Sequence, residues 1–183
     1  MKTVIVYESL FGNTRRVADA IAEGARTIGE VHVYNVADAT PAFLIGADLV
    51  FVGGPTHAHG MSWPSTREQA EHMADADPDL VLEPQGPGMG VREWLQSDPV
   101  LPTLYAAFDT RADAVKWFTG SAATHIAKKL KRHGRTEIAP EGSFLAPDND
   151  IDLSEHERAR EWGASAARSA LEELSLDYSR RNH

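Results

Sequence analysis

The sequence predicts an α/β protein built on a sheet of parallel strands. Three observations carry this: short apolar runs rich in Val, Ile, Leu and Phe, helix-period patterns lying between them, and runs that are continuously apolar rather than alternating. The last is the pattern of strands covered on both faces. With 183 residues, 42% of them hydrophobic, the chain is long enough for one sizeable core and short for two. A single domain over 1–183 is therefore expected.

The first strand is "TVIVY" (3–7). After it, Val17, Ile21, Ala25 and Ile28 share one helical face while Arg15, Arg16, Asp19, Glu23 and Arg26 mark the other. Further strands are read at "VHVYNV" (31–36), "DLVFVG" (48–53) and "LYAAF" (104–108), with a split last candidate at "TEIA" and "SFLA" within 136–146. Ala123, Ile126, Ala127 and Leu130 repeat the helical device; Lys128, Lys129, Lys131, Arg132 and His133 suit the negative end of that helix, and Gly134 stops it. A final helix is expected to open with Ser154 and Glu157 in capping-box spacing and to turn Ala159, Trp162, Ala166 and Leu174 inward. The least regular stretch, 75–102, is crowded with Asp, Pro and Gly. It reads as an insertion-like loop with a short helix around 91–95, too long for a plain connection: a lid, a docking surface or simply an insertion.

Twenty-seven acidic against eighteen basic residues give a formal charge of −9. That balance argues against nucleic acid or an anionic membrane and favours partner proteins with basic docking faces. No run of eighteen apolar residues occurs and the chain enters a strand pattern without a charged leader, so a soluble, cytoplasmic protein is expected. The absence of cysteine excludes disulfides, thiolate catalysis, iron–sulfur clusters and Cys-type zinc sites. Redox chemistry would have to come from a bound cofactor.

Ligands of α/β sheets with helices on both faces sit beyond the carboxyl ends of the strands. "ESLFGNT" (8–14) holds that position after the first strand. Ser9, Asn13 and Thr14 are small and polar, Gly12 permits close backbone approach, and the next helix presents its first N–H groups: an uncharged phosphate cradle. The Lys of a nucleoside-triphosphate loop and the G-x-G-x-x-G of a dinucleotide loop are both missing, so a single phosphate monoester fits better. An ordinary helix N-cap by Ser9 or Asn13 reads from the same residues. Two other strand ends carry long loops, "GGPTHAHGMSW" (53–63) and "DTRADAVKWFTGSA" (109–122), each with an aromatic. Three loops thus converge on one edge, one suited to phosphate and two to embracing a flat ring.

These loops resemble those of the flavodoxin-like FMN-binding family. The family's phosphate pattern [TS]-x-[TS]-G-x-T is met at Ser9, Gly12 and Thr14; Phe11 stands where a hydroxyl is usual, a bulky residue similar to those of flavodiiron loops. "GGPTHAHG" resembles the ring-binding loop, and "FTGSAATHIAKKLKRHG" followed by "EGSFL" resembles the fourth helix and last strand. The resemblance covers about residues 3–174, least well over 75–102. It implies a three-layer, doubly wound, five-stranded parallel sheet of order 2-1-3-4-5. FMN is the implied cofactor, its phosphate on Ser9, Leu10, Phe11, Gly12, Asn13 and Thr14. Its ring would lie between Pro55, Thr56, His57, His59 and Gly60 on one side and Asp109, Thr110, Arg111 and Trp117 on the other.

Family members usually stack aromatics on the ring, and here His57 and Val115 hold those positions. Trp63 and Trp117 are left either to supply a stacking face or to pack on their own helices. His57 and His59, spaced i, i+2, lack a third ligand, so they are ring-edge contacts or plain loop residues rather than a metal pair. Asp109 either approaches the flavin or caps its own loop. The implied function is a one-electron shuttle between a reductase and an acceptor. An FMN-dependent NAD(P)H quinone-type reductase, with 75–102 enclosing substrate, and a flavin-free module on the same fold are the alternatives. A phosphoacceptor receiver would want an acidic cluster after the first strand, where Glu8 stands alone, and no G-x-S-x-G elbow is present.

Overall fold

The computed structural model describes residues 1–57, 60–112, 120–147 and 150–182. The element order is β1 (Lys2–Tyr7), α1 (Asn13–Ala25), β2 (Glu30–Asn35), α2 (Pro41–Leu44), β3 (Leu49–His57), β4 (Gly60–Met61), α3 (Pro64–Ala76), α4 (Val91–Gln96), β5 (Leu104–Arg111), α5 (Ala122–Arg132), β6 (Thr136–Glu137), β7 (Gly142–Leu145) and α6 (Leu153–Arg181). The sheet runs β2-β1-β3-β5-β6, every pair on that path parallel. β7 continues the edge beside the later half of β5, and β4 folds back antiparallel on the end of β3. With β6 and β7 taken as two pieces of one interrupted strand, this is the expected order 2-1-3-4-5. Pro140 lies between the pieces and offers no N–H to the ladder.

The central strands are apolar throughout because both faces are covered. Val4, Val6, Val50, Val52, Tyr105 and Ala107 pack with Ile126 and Leu130 of α5 and Trp94 of α4. Ile5, Phe51, Ala106 and Phe108 face the other way, toward Val17 and Ile21 of α1 and Ala159, Ala166 and Ala170 of α6. Helices α1 and α6 approach backbone to backbone: a Cβ on Gly24 would sit 1.9 Å from the Arg160 carbonyl oxygen, and one on Gly163 2.5 Å from that of Ile21. Trp162 turns inward as expected, its ring edge-on to Phe51 at 5.5 Å and Phe144 at 6.0 Å, while its Nε1–H donates to the Pro140 carbonyl at 3.0 Å.

Two expectations need correction. Helix α6 begins at Leu153, and its cap is Asp152, whose Oδ1 accepts from the Glu155 N–H at 2.8 Å; the Ser154/Glu157 box is not used. Residues 64–76 form helix α3, which reaches into the start of the segment read as loop; α4 matches the short helix read there. The buried residues of α3 are Arg67 and Ala70, so no apolar stripe marks it, and what starts it is Pro64 at the first turn with the Thr66 hydroxyl accepting from the Trp63 N–H at 2.9 Å. No helix among the described residues is long and apolar enough to cross a membrane.

Candidate functional site

β1 ends at Tyr7 and the chain turns through residues 8–12 into α1. Gly12 is the pivot, at φ +89°, a left-handed torsion that side chains disfavour. The Ser9 hydroxyl accepts from the Gly12 N–H at 3.1 Å and so closes the loop on itself. Gly12 occupies the cap position, without a side-chain cap, and the ladder opens with the Arg16 N–H donating to the Gly12 carbonyl at 3.0 Å. Neither Ser9 nor Asn13 is therefore the helix cap. The amides of the first turn lack intrahelical acceptors and, with the positive end of the helix dipole, open on the loop.

A cavity of about 340 Å³ lies at this end of the sheet. Ser9, Leu10, Phe11, Asn13 and Thr14 contribute to its wall from the first loop, Pro55, Thr56 and His57 from the second, and Thr110 and Arg111 from the third. The Thr14 and Thr110 hydroxyls bridge the first and third loops at 2.7 Å. Met73, Leu80, Ala112 and Ala146 also line the cavity and were missed by the sequence reading. Met73 and Leu80 come from α3 and the turn after it, whose return over the cavity no local pattern encodes.

Other candidates stand elsewhere. Gly60 pairs with His57 in the β3–β4 hairpin and faces His125: a Cβ there would be 3.1 Å from Nδ1. Gly12 is not among the residues that line the cavity. Trp63 is 49% exposed and packs under the Arg92 guanidinium, 3.6 Å from the ring centroid, outside the cavity wall. His59 and Trp117, with Val115, fall outside the described residues. Asp109 is fully buried: Oδ2 accepts from the Ser121 hydroxyl at 2.6 Å, the Ala123 N–H at 3.0 Å and the Thr56 hydroxyl at 3.1 Å, and Oδ1 from the Ser143 hydroxyl at 2.7 Å. This carboxylate ties β3, β7 and the start of α5 to β5, setting the spacing of the second and third loops.

Over 68 residues the chain is 37% identical to a flavodoxin of Aquifex aeolicus (strain VF5), a match covering 36% of this chain and 37% of that one. A flavodoxin from the domain Archaea superposes with a TM-score of 0.62 at 22% identity, over 93% of this chain and 99% of that one. The chain has a flavodoxin-like fold. Oxidised Flavodoxin 1 from Bacillus cereus superposes with the same TM-score at 17% identity, over 92% of this chain and 98% of that one. No family model matches the chain. The sequence match spans little more than a third of the curated flavodoxin's length.

Beneath the first loop this flavodoxin-like chain buries an ionic cluster. Glu8, 2% exposed, accepts from the Ser62 hydroxyl through Oε1 and from the Val91 N–H at 2.8 Å through Oε2. Arg67, 4% exposed, donates to the Ser62 hydroxyl at 2.9 Å and pairs with Glu93 at 3.0 Å. Burial pushes the Glu8 carboxyl above its ordinary value, and its hydrogen bonds and Arg67 only partly oppose this. His57 is held below its ordinary value, first by burial and then by Arg67, so the ring reaches the cavity as a neutral imidazole at neutral pH.

Proposed function

We propose that the chain binds FMN at this edge of the sheet and carries single electrons between a reductase and an acceptor with a basic docking face. The observation that supports it is the convergence of three strand-end loops on one cavity with an uncharged cradle at a helix start. A phosphate monoester suits the turn of residues 9–14, where Gly12 at φ +89° leads into a helix whose first-turn amides lack intrahelical acceptors. The cavity volume is within the range usual for cofactor sites, and Leu10, Phe11, Pro55, Met73 and Leu80 give it the apolar wall a flat ring needs.

When bound, the flavin supplies the redox chemistry, and the protein sets its environment. The apolar wall excludes water, and neutral His57 offers a hydrogen-bonding edge without a charge to favour an anionic ring. The net charge of −9 suits brief docking to basic surfaces, where complementary charge raises association rates. A two-electron reductase of small acceptors is the second reading, favoured by Met73 and Leu80, which enclose the cavity from a segment outside the three loops.

The test begins by adding FMN, removing the excess by gel filtration and measuring flavin per chain. Flavin retained near one per chain and reduced only slowly by NADH or NADPH supports the carrier. Rapid reduction by either nicotinamide, without an added reductase, favours the enzyme. A flavin-free eluate sinks the cofactor assignment and leaves a flavin-free module.

A further inference from the structure

Helix α6 is longer than the packing it makes within one chain. Its last buried side chain is Ala170, yet it continues for about three more turns to Arg181. Those turns run past the amino-terminal ends of β3 and β5, at the opposite end of the strands from the cavity, and flank a groove of about 510 Å³. Leu101, Pro102 and Leu104 form one wall, and Leu174 and Tyr178 of α6 the other.

Two features of this end find no use inside the single chain. The first is apolar surface. Leu171, Leu174 and Tyr178, spaced i, i+3, i+7, share one flank of the helix, and Tyr178 is 73% exposed. The apolar surface continues on the body at Ile45 and at Val100, 77% exposed, close in sequence to Ala47 and Leu101 of the groove. A patch of this kind, rimmed by charge, marks a contact surface. The second feature is charge. Asp48, Glu173 and Asp177 line the groove, and so does Arg181, which has no ion-pair partner among the described residues. Arg180 reaches Asp177 at 3.4 Å and Glu173 at 3.9 Å, exposed pairs of little strength.

We propose that this end of the molecule is a dimer interface, occupied by a second copy of the chain whose α6 lies antiparallel to the first. The acidic groove and the basic last turn belong to one helix, so the surface is complementary to itself, which is what a two-fold contact requires. An axis near Tyr178 packs Leu174 and Tyr178 of each helix against those of the other. It also carries Arg181 of each copy to the carboxylates beside the other's groove, Asp177 first among them. Each pair is made twice. The net charge of −9 sets copies against one another over most of their surface, whereas here the chain supplies cations opposite its own carboxylates. Groove and cavity lie at opposite ends of the strands, so both cavities stay open in the dimer. The inference therefore stands whether or not the site takes FMN.

The test is sedimentation velocity over a dilution series, on wild type, Tyr178→Glu, Asp177→Arg and Arg181→Glu, with thermal melts to confirm folding. Wild type is expected to show twice the 20.0 kDa of one chain and to dissociate on dilution. Tyr178→Glu and each charge reversal are expected to weaken the dimer about tenfold. Mixing Asp177→Arg with Arg181→Glu is expected to restore association, because both contacts across the axis then join opposite charges; a role confined to one chain predicts no such rescue. A wild type that stays monomeric at about 0.1 mM overturns the proposal, whatever the variants do, and leaves the groove to a basic segment of another protein. A mass above that of a dimer overturns the closed two-fold. A dimer that folded Tyr178→Glu and both reversals leave unchanged overturns the assignment to α6, and reversals that weaken it without rescue on mixing overturn the pairing of Arg181 with Asp177.

Discussion

Gly12 carries the geometry of the cradle in one torsion, so its replacement tests the loop with little change in chemistry. At φ +89° an added Cβ costs about 1–2 kcal/mol, and Gly12→Ala is expected to weaken FMN binding roughly tenfold and to lower the melting temperature slightly, both read in one thermal-shift titration. Glu8 makes a prediction about pH. Its folded-state pKa lies above the ordinary 4.5, so the folded chain holds that proton more tightly than the unfolded one. Its contribution to stability is fully present below about 4.5 and is lost as pH rises through the raised value. Glu8→Gln, which resembles the protonated side chain, is expected to gain stability relative to wild type as pH climbs through that window, and urea melts at several pH values would show a flat difference if the idea is wrong. His57 has the opposite sign: its contribution is present above 6.5 and is lost as pH falls toward the lowered folded value.

At the scale of elements, the α1–α6 crossing depends on missing side chains. Gly163→Ala places a methyl 2.5 Å from the Ile21 carbonyl oxygen, and the helices must separate along a seam that includes Ala22, Ala166 and Ala167. A loss of about 1–3 kcal/mol by chemical denaturation is expected, the usual cost of overpacking. Helix α3 depends on a different device. It buries little apolar surface, and Arg67 anchors it through Ser62 and Glu93 to the end of β1 and the start of α4. Arg67→Ala leaves Glu8 without its nearest cation, and a cost of about 3 kcal/mol is expected, with the Met73 side of the cavity loosening first in hydrogen exchange.

For the whole molecule, the proposed cofactor and the fold are expected to be linked. FMN at a hundred times its dissociation constant should stabilise the chain by about 2.7 kcal/mol, and a melting temperature indifferent to FMN would contradict binding to the folded state. The uneven charge predicts that association with a basic redox partner slows as salt is raised, whereas dissociation changes less; stopped-flow mixing at several ionic strengths separates the two.

The sheet and the turn from β1 into α1 were legible in the sequence because both are local. The runs at 3–7, 48–53 and 104–108 announce strands covered on both faces, and "ESLFGNT" places a glycine pivot, its hydroxyl brace and a helix start within seven residues. Trp162 and the split last strand were readable for the same reason. Helix α3 was not, since its stability comes from one buried arginine rather than from an apolar stripe. The hub at Asp109, the Glu8 bond to Val91 across 83 positions and the Glu83–Arg15 pair across 68 were invisible as well. By itself, the sequence determined the layered sheet and the edge where its loops meet, because periodicity and turn chemistry act between neighbours. Only the tertiary structure decided which carboxylate braces the loops, which lies buried beneath them and which pairs with Arg15 beside Gly12, because burial and pairing are set by residues that meet only when the chain has folded.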